Sequence, residues 1–552
     1  MNVHNQRQPI DRLLTLVKRE KDDLFILFYI TIGYSLLGIA TPLAVQALVN
    51  NITMGGVMQP LVVISIILFC LLILSGFLYV LELYLVEYIQ RRLFVDTAMH
   101  VANKTQGTQI SIYDNNNPVE LLNRFFDIIT IQKTAASLLT TGLIAFVQVV
   151  IGSLILIFYS FYFSIIVAMV LLFFWFTINV LGKNATKTAI EESKAKYATA
   201  AWLETIAGNA YLFKFYNGLQ RAESYTDALV HKYLRKRASH FSYLLWQNFS
   251  AVMFYAFIGT SMLAVGGVLV VNSQINLGQF VAAELIFFGL LAAFVRLVTK
   301  LSDYYDILAA VDKIGVLDDL PQEDVKSNQT TLNTLDSLKV KNLSFAYSNR
   351  VHPIQDINFS LLKGQTIAIM GLSGTGKSTL IDLITNLREP QGGQIQFNGV
   401  DLRQINRVAL RNKIGIAAEV EVFEGTIIDN IRLDNTNITT QEINHVLEEL
   451  GLNDDIARLE HGLDTQLTGF GAPLSTTQLQ RIMLVRSIVI KPELLIIDGI
   501  IDNLSVTQIQ LVINYLFKRK QEWMLILTTR SEHIANQFDQ QIFLSDLMEK
   551  SI

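Results

Sequence analysis

The sequence predicts two fold classes in one chain: an α-helical membrane domain of six spans, then an α/β domain built around a phosphate-binding loop. Three observations predict it. The windows 22–90, 134–182 and 238–295 contain no Lys or Arg. From about residue 337 short apolar runs alternate with helical patterns, as in an α/β sheet domain. The segment Gly371-Leu372-Ser373-Gly374-Thr375-Gly376-Lys377-Ser378-Thr379 follows one such run and opens a helix, the context that a phosphate-cradling glycine loop requires.

Composition agrees with this division. The chain has 552 residues, 17% of them charged, with mean hydropathy +0.38. That is too long for one domain and too apolar for an ordinary soluble protein. The net charge of −4 gives no global basic signal, so nucleic acid is not an expected partner. Cys70 is the single cysteine, which excludes an intrachain disulfide framework or a multi-cysteine metal site. Residues 1–22 hold no Cys, so no N-terminal cysteine-peptidase domain is expected.

The membrane spans come first. A spanning helix needs about 20 apolar residues at ~1.5 Å rise each. The first window holds spans near 24–48 and 59–88, the second near 136–158 and 161–182, and the third near 246–271 and 278–299. Basic residues set the orientation. Arg7, Arg12, Lys18, Arg19 and Lys21 precede the first span, Arg91, Arg92, Lys104, Arg124 and Lys133 follow the second, and Lys183, Lys187, Arg235, Lys236 and Arg237 follow the fourth. The three short loops on the other side carry none, which places both termini in the cytoplasm. The first span is expected to act as an uncleaved anchor. The two cytoplasmic connections read as helical extensions of the spans. Glu82, Glu87 and Glu284 are the acids within the spans, and each should face the bundle interior or water. Glu284 either contacts a substrate or bonds a neighbouring helix, the second being the plainer reading; Gln46 and Gln148 are read in the same way.

Hydropathy drops after Ile314. Domain boundaries follow as 1–315 for the membrane part with its two long cytoplasmic loops, 316–336 for a polar linker, and 337–552 for the α/β part. In the phosphate loop Gly371, Gly374 and Gly376 let backbone N–H groups approach phosphate, with Ser373, Thr375 and Thr379 completing the turn. Lys377 is expected to pair with the β- and γ-phosphates of ATP, and Ser378 to ligate Mg²⁺. The apolar run Leu494-Leu495-Ile496-Ile497 ends in Asp498, which suits a second magnesium-holding position.

With these motifs in place the whole chain resembles a half-transporter of the ABC exporter family: six spans fused to one nucleotide-binding domain. The resemblance implies that Tyr347, in Phe345-Ala346-Tyr347, stacks on adenine, although an ordinary strand aromatic is the alternative. Leu474-Ser475-Thr476-Thr477-Gln478 occupies the place of the family's signature, so Ser475 and Gln478 are expected to close over ATP held by a second chain. Tyr113-Asp114 through Glu120, Leu121 and Arg124 resembles the first coupling region. Glu204, Gly208, Lys214 and Asn217 resemble the second. Ala40-Thr41-Pro42-Leu43-Ala44-Val45-Gln46-Ala47 is similar to the haemolysin/type I secretion branch. That branch implies peptide or protein export from the bacterial inner membrane, with a periplasmic adaptor and an outer-membrane channel as partners.

Five departures fall on the chemistry. Gly499 stands where the family carries the Glu that polarises water. Thr529 stands where a His contacts the γ-phosphate, and Glu419 where a Gln senses Mg²⁺, so that Glu419 is either repelled by phosphate or a metal ligand. The signature glycines are Thr476 and Thr477, and Ser505 replaces an Asp. Loss of a positioned base costs typically ~10²–10⁴ in rate, and loss of a charge-stabilising donor ~10²–10³. Three readings remain open. The chain is a slow subunit that binds ATP and pairs with itself or a competent partner; or Glu419 or Asp502 has become the base of an active exporter of lipid or small hydrophobic molecules; or the protein is a nucleotide-gated regulator that moves nothing.

Overall fold

The computed structural model describes residues 8–114, 116–323, 329–347 and 354–544. Arg7 and residues 324–328 of the expected linker lie outside them. The chain divides at Gln322 into two compact units, with Gln109–Ser111 grouped with the second.

The first unit is helical. Six helical stretches are long and apolar enough to cross a membrane: Lys21–Thr53, Met58–Gln106, Pro118–Tyr159, Phe161–Leu181, Gly218–Val271 and Leu277–Asp318. The first is not one helix. It runs Lys21–Leu37, breaks at Gly38-Ile39 and resumes as Ala40–Thr53. Pro42 explains the break, because its ring would collide with the carbonyl of residue 38 in a continuous helix and it offers no N–H. The third and fourth stretches are separated by Ser160 alone. Its backbone is extended and its Oγ accepts from the Tyr162 N–H at 3.3 Å, which ends one helix and caps the next.

Helices packed in lipid gain little from hydrophobic exclusion, so small residues and interhelical bonds matter more. At Gly278 a Cβ would lie 2.9 Å from the Gln46 carbonyl oxygen, so this glycine admits close approach of Leu277–Thr299 to Ala40–Thr53. Phe173 and Phe254 stack with centroids 4.0 Å apart. Of the polar residues singled out within the spans, Gln46 accepts from the Tyr159 hydroxyl at 2.7 Å and Gln148 from Arg296 at 2.7 Å. Glu82 is fully buried and accepts from the Thr31 hydroxyl at 3.4 Å. Glu87 pairs with Arg91 one turn on. Glu284 makes no hydrogen bond or ion pair among the described residues. Beyond the apolar stretches Lys236 pairs with Glu191 at 2.7 Å and Arg237 with Glu192 at 2.8 Å, clamping Ala185–Gly208 to the long helix Gly218–Val271. The short helix Pro118–Asn123 is tied to Glu204 through Asn123.

The second unit is α/β. A parallel five-stranded sheet runs in spatial order Gln540–Phe543, Thr366–Met370, Met524–Thr529, Leu494–Asp498, Ile414–Ala417. Its three central strands are continuous apolar runs rather than alternating ones, because helices cover both faces of a parallel sheet. Thr366–Met370 and Met524–Thr529 are buried at every position. Strand register places the site. Thr529 lies beside Met370, Thr528 beside Asp498, and Ala417 beside Ile497. Four strands therefore end at one level, and the loops that follow them open on the same edge, where open α/β sheets bind ligands. An antiparallel sheet of Ser337–Phe345, Ile354–Leu362, Gly392–Phe397 and Val400–Asp401 completes the unit.

Candidate functional site

A cleft of about 400 Å³ opens at these strand ends. Ser373, Gly374, Gly376, Lys377, Ser378 and Thr379 of the phosphate loop line one side, and Asp498, Gly499, Asp502, Thr528 and Arg530 another, with Ala418-Glu419 and Gln480 nearby. The loop owes its path to Gly376, whose φ is +97° and whose added Cβ would meet Ile354 at 2.8 Å. The helix Lys377–Ile384 starts directly after it, so its free N–H groups and positive dipole end face the cleft. Lys377 Nζ bridges the carbonyl oxygens of Gly371 and Leu372 at 2.7 and 2.8 Å. Burial lowers its pKa from the ordinary lysine value, with Asp498 and Asp502 pulling the other way. Thr375 Oγ1 donates to Leu372 O at 2.9 Å, closing the turn.

The opposite wall carries the carboxylates. Asp498 Oδ1 accepts from the Thr528 hydroxyl at 2.5 Å, and Thr528 in turn accepts from the Gly499 N–H at 2.9 Å. Gly499 has φ +66°, and a Cβ there would meet nothing within 4 Å. Thr529 is fully buried. Its hydroxyl donates to Asp502 Oδ1 at 2.5 Å and accepts from the Ser531 N–H at 3.0 Å, so both of its hydrogen-bonding roles are taken. Asp502 also accepts from the Arg530 backbone N–H at 3.0 Å and Nε at 3.3 Å. Glu419 is exposed on the lining.

Gly371, Thr375 and the buried Thr529 lie behind this lining, and Tyr347, Ser475 and Gln478 sit apart from it. The Tyr347 hydroxyl bonds Thr379 at 3.2 Å, and Arg388 covers one ring face at 4.9 Å from the centroid. Ser475 and Gln478 form a capping box for the helix Thr476–Val489: Gln478 Oε1 accepts from the Ser475 N–H at 2.9 Å, and Ser475 Oγ from the Gln478 N–H at 3.4 Å. Ser505 caps Val506–Lys518 with Gln508 in the same way. Thr528, Gln480 and Arg530 are lining residues that sequence reasoning missed. The only available signal was their position beside Thr529 and Gln478.

The donor set suits a nucleotide. A glycine loop, one lysine and a helix N-terminus match a polyphosphate. For Mg²⁺, Ser378 and Asp498 offer one hydroxyl and one carboxylate on the same cleft. No group of three or more His, Cys, Asp or Glu able to hold a metal occurs among the described residues. Mg²⁺ often takes just one or two carboxylates and leaves the rest to phosphate and water, which is the arrangement these two residues suit.

Residues 24–294 match the model of the ABC transporter transmembrane region, and residues 354–501 match the ABC transporter model. The chain belongs to the ABC transporter family. ATP binding follows from that membership. The structure of a bacterial Atm1-family ABC exporter with ATP bound superposes with TM-score 0.82 at 18% identity, covering 96% of this chain and 94% of that one. The fold of this ABC transporter is thus that of an exporter, and with six apolar helical stretches it is a multi-pass membrane protein.

Among curated relatives, the lactococcin-A transport/processing ATP-binding protein of Lactococcus lactis is 23% identical over 93% of this chain and 73% of its own length. The beta-(1→2)glucan export ATP-binding/permease protein of Agrobacterium vitis is 29% identical over 51% of this chain. The alpha-hemolysin translocation ATP-binding protein of Escherichia coli is 31% identical over 42% of this chain. The chain spans 49% of the glucan exporter and 33% of the hemolysin translocator.

Proposed function

We propose that the chain is one half of an ATP-binding exporter that moves a peptide or protein out of the cytoplasm by alternating access while hydrolysing ATP slowly. Its partner is a second half-transporter, the same chain or a different one, in a bacterial inner membrane with both termini cytoplasmic. A periplasmic adaptor and an outer-membrane channel complete the path.

One observation carries the slow-hydrolysis reading. Lys377, Ser378 and Asp498 line the cleft, while Gly499 has no side chain and the buried Thr529 hydroxyl is spent on Asp502 and Ser531. Nucleotide can be held where it cannot be rapidly cleaved. Peptide or protein as cargo is supported by the lactococcin and hemolysin relatives, whose names state that transport.

The test is steady-state ATP turnover of the purified chain with Mg²⁺. Enzyme kcat values run about 1–10³ s⁻¹. The proposal expects turnover well under 1 s⁻¹ with tight ATP binding, and turnover in the ordinary range sinks it. A substitute base is the second reading, and the exposed position of Glu419 on the cleft favours Glu419 over Asp502. Asp502 already accepts three hydrogen bonds, which fill all but about one of the ~four lone-pair sites of a carboxylate, whereas Glu419 accepts none among the described residues. Rapid turnover abolished by Glu419→Gln would establish that reading, with lipid or a small hydrophobic molecule as the alternative cargo. A nucleotide-gated regulator remains the third reading, and ATP-driven flux in reconstituted vesicles excludes it.

A further inference from the structure

Thr529 stands where the family resemblance implies a histidine contact to the γ-phosphate, and its own hydroxyl is already committed to Asp502. The next residue is a cation. Arg530 lines the same cleft as Lys377, Ser378 and Asp498. Its side chain is 60% exposed, against 8% for its partner Asp502. Two bonds hold it. The backbone N–H of Arg530 donates to Asp502 Oδ2 at 3.0 Å, and Nε reaches the same oxygen at 3.3 Å. The first anchors the main chain and persists wherever the side chain goes. The second is long for a charge-assisted bond, which is commonly 2.7–2.9 Å. The two terminal nitrogens of the guanidinium make no hydrogen bond among the described residues.

Charge balance points the same way. The cleft holds the cations Lys377 and Arg530 against Asp498, Asp502 and Glu419. Asp498 suits a metal, and Asp502 is engaged by Thr529 and Arg530. A triphosphate brings more negative charge than one lysine offsets, and the guanidinium fork is suited to bidentate contact with phosphate oxygens.

We propose that Arg530, anchored by Asp502, contacts the terminal phosphate of ATP and makes this cleft select ATP over ADP. The inference rests on the nucleotide-binding reading and goes beyond it by naming the residue that reads the third phosphate. Asp502 is the positioning residue. Its carboxylate occupies Thr529 and holds the Arg530 backbone, so the arginine takes over the place that Thr529 cannot fill.

The test is equilibrium binding of fluorescently labelled ATP and ADP, each with Mg²⁺, to the full chain in detergent. A hydrogen bond to a charged group is worth roughly 10- to 100-fold in affinity. Arg530→Ala should weaken ATP by that factor and leave ADP within about threefold, collapsing the preference. Arg530→Gln, shorter and uncharged but still polar, should do the same, and Arg530→Lys, which keeps the charge, should keep part of it. Retained ADP binding shows that the variants are folded. Equal losses for ATP and ADP, or no loss of either, overturn the proposal. A wild-type chain that binds both nucleotides no better than Lys377→Ala overturns it together with the nucleotide-binding reading.

Discussion

Gly499 is the residue on which the slow-turnover reading turns, and its backbone carries more information than its missing side chain. With φ +66° it sits in the left-handed region, where an L side chain costs about 1–2 kcal/mol. The space beside it is open, since an added Cβ meets nothing within 4 Å. A glutamate placed there is strained by backbone and not by packing. We predict that Gly499→Glu lowers the unfolding free energy by about 1 kcal/mol and raises turnover by less than about tenfold, because Thr529 still withholds its hydroxyl. Denaturation and ATPase assays on one preparation check both; a gain of a hundredfold or more contradicts it. Gly376 is a different case. Its Cβ would strike Ile354 at 2.8 Å at φ +97°, so strain and overlap act together. Gly376→Ala should therefore distort the loop and weaken ATP and ADP alike, which separates it from Arg530→Ala in the same binding assay.

At the scale of elements, the signature segment has a local structural role beside the cross-dimer one proposed for it. Ser475-Thr476-Thr477-Gln478 is a capping box in this chain, closing the start of Thr476–Val489. Replacing an N-cap serine by alanine costs about 1 kcal/mol. Ser475→Ala should thus speed amide hydrogen exchange in the first turn of that helix about fivefold and leave the strands unchanged, while unchanged exchange would show that the cap carries no stability. The same segment illustrates what was legible. Spans were legible because lysine and arginine are expelled from lipid, and the phosphate loop because only glycines at those spacings let backbone reach phosphate. The break at Gly38-Ile39 lay in plain view at Pro42 but was hidden by the uniform hydropathy around it. Ser505 and Gln508 also fit a capping-box spacing, which is legible without any reference to the Asp that the family carries there. The hold of Asp502 on Thr529 was not legible at all. It joins the turn that follows Leu494–Asp498 to the end of Met524–Thr529, 27 positions on, and strand register, invisible in the sequence, brings them together.

At the scale of the whole molecule, slow chemistry changes what ATP does to the assembly. In the proposed cycle two nucleotide domains close over ATP, and hydrolysis reopens them. A chain that binds ATP through Lys377 but lacks a side chain at Gly499 should enter the closed pair and stay there. Ligand that binds one state stabilises it by RT ln(1 + [L]/Kd), about 2.7 kcal/mol at a hundredfold excess over Kd. Because each pair holds two ATP molecules, the shift toward dimer is larger than for one site. We predict that ATP with Mg²⁺ converts the purified chain to a dimer by light scattering in detergent, and that the dimer outlasts removal of free ATP by minutes. ADP should not support it, and Lys377→Ala should stay as it is without nucleotide. A chain that binds ATP tightly and remains monomeric at every concentration is not the self-pairing half. It then requires a different partner, and because Thr476 and Thr477 travel with Gly499 on this chain, that partner inherits a departure at each of the two composite sites.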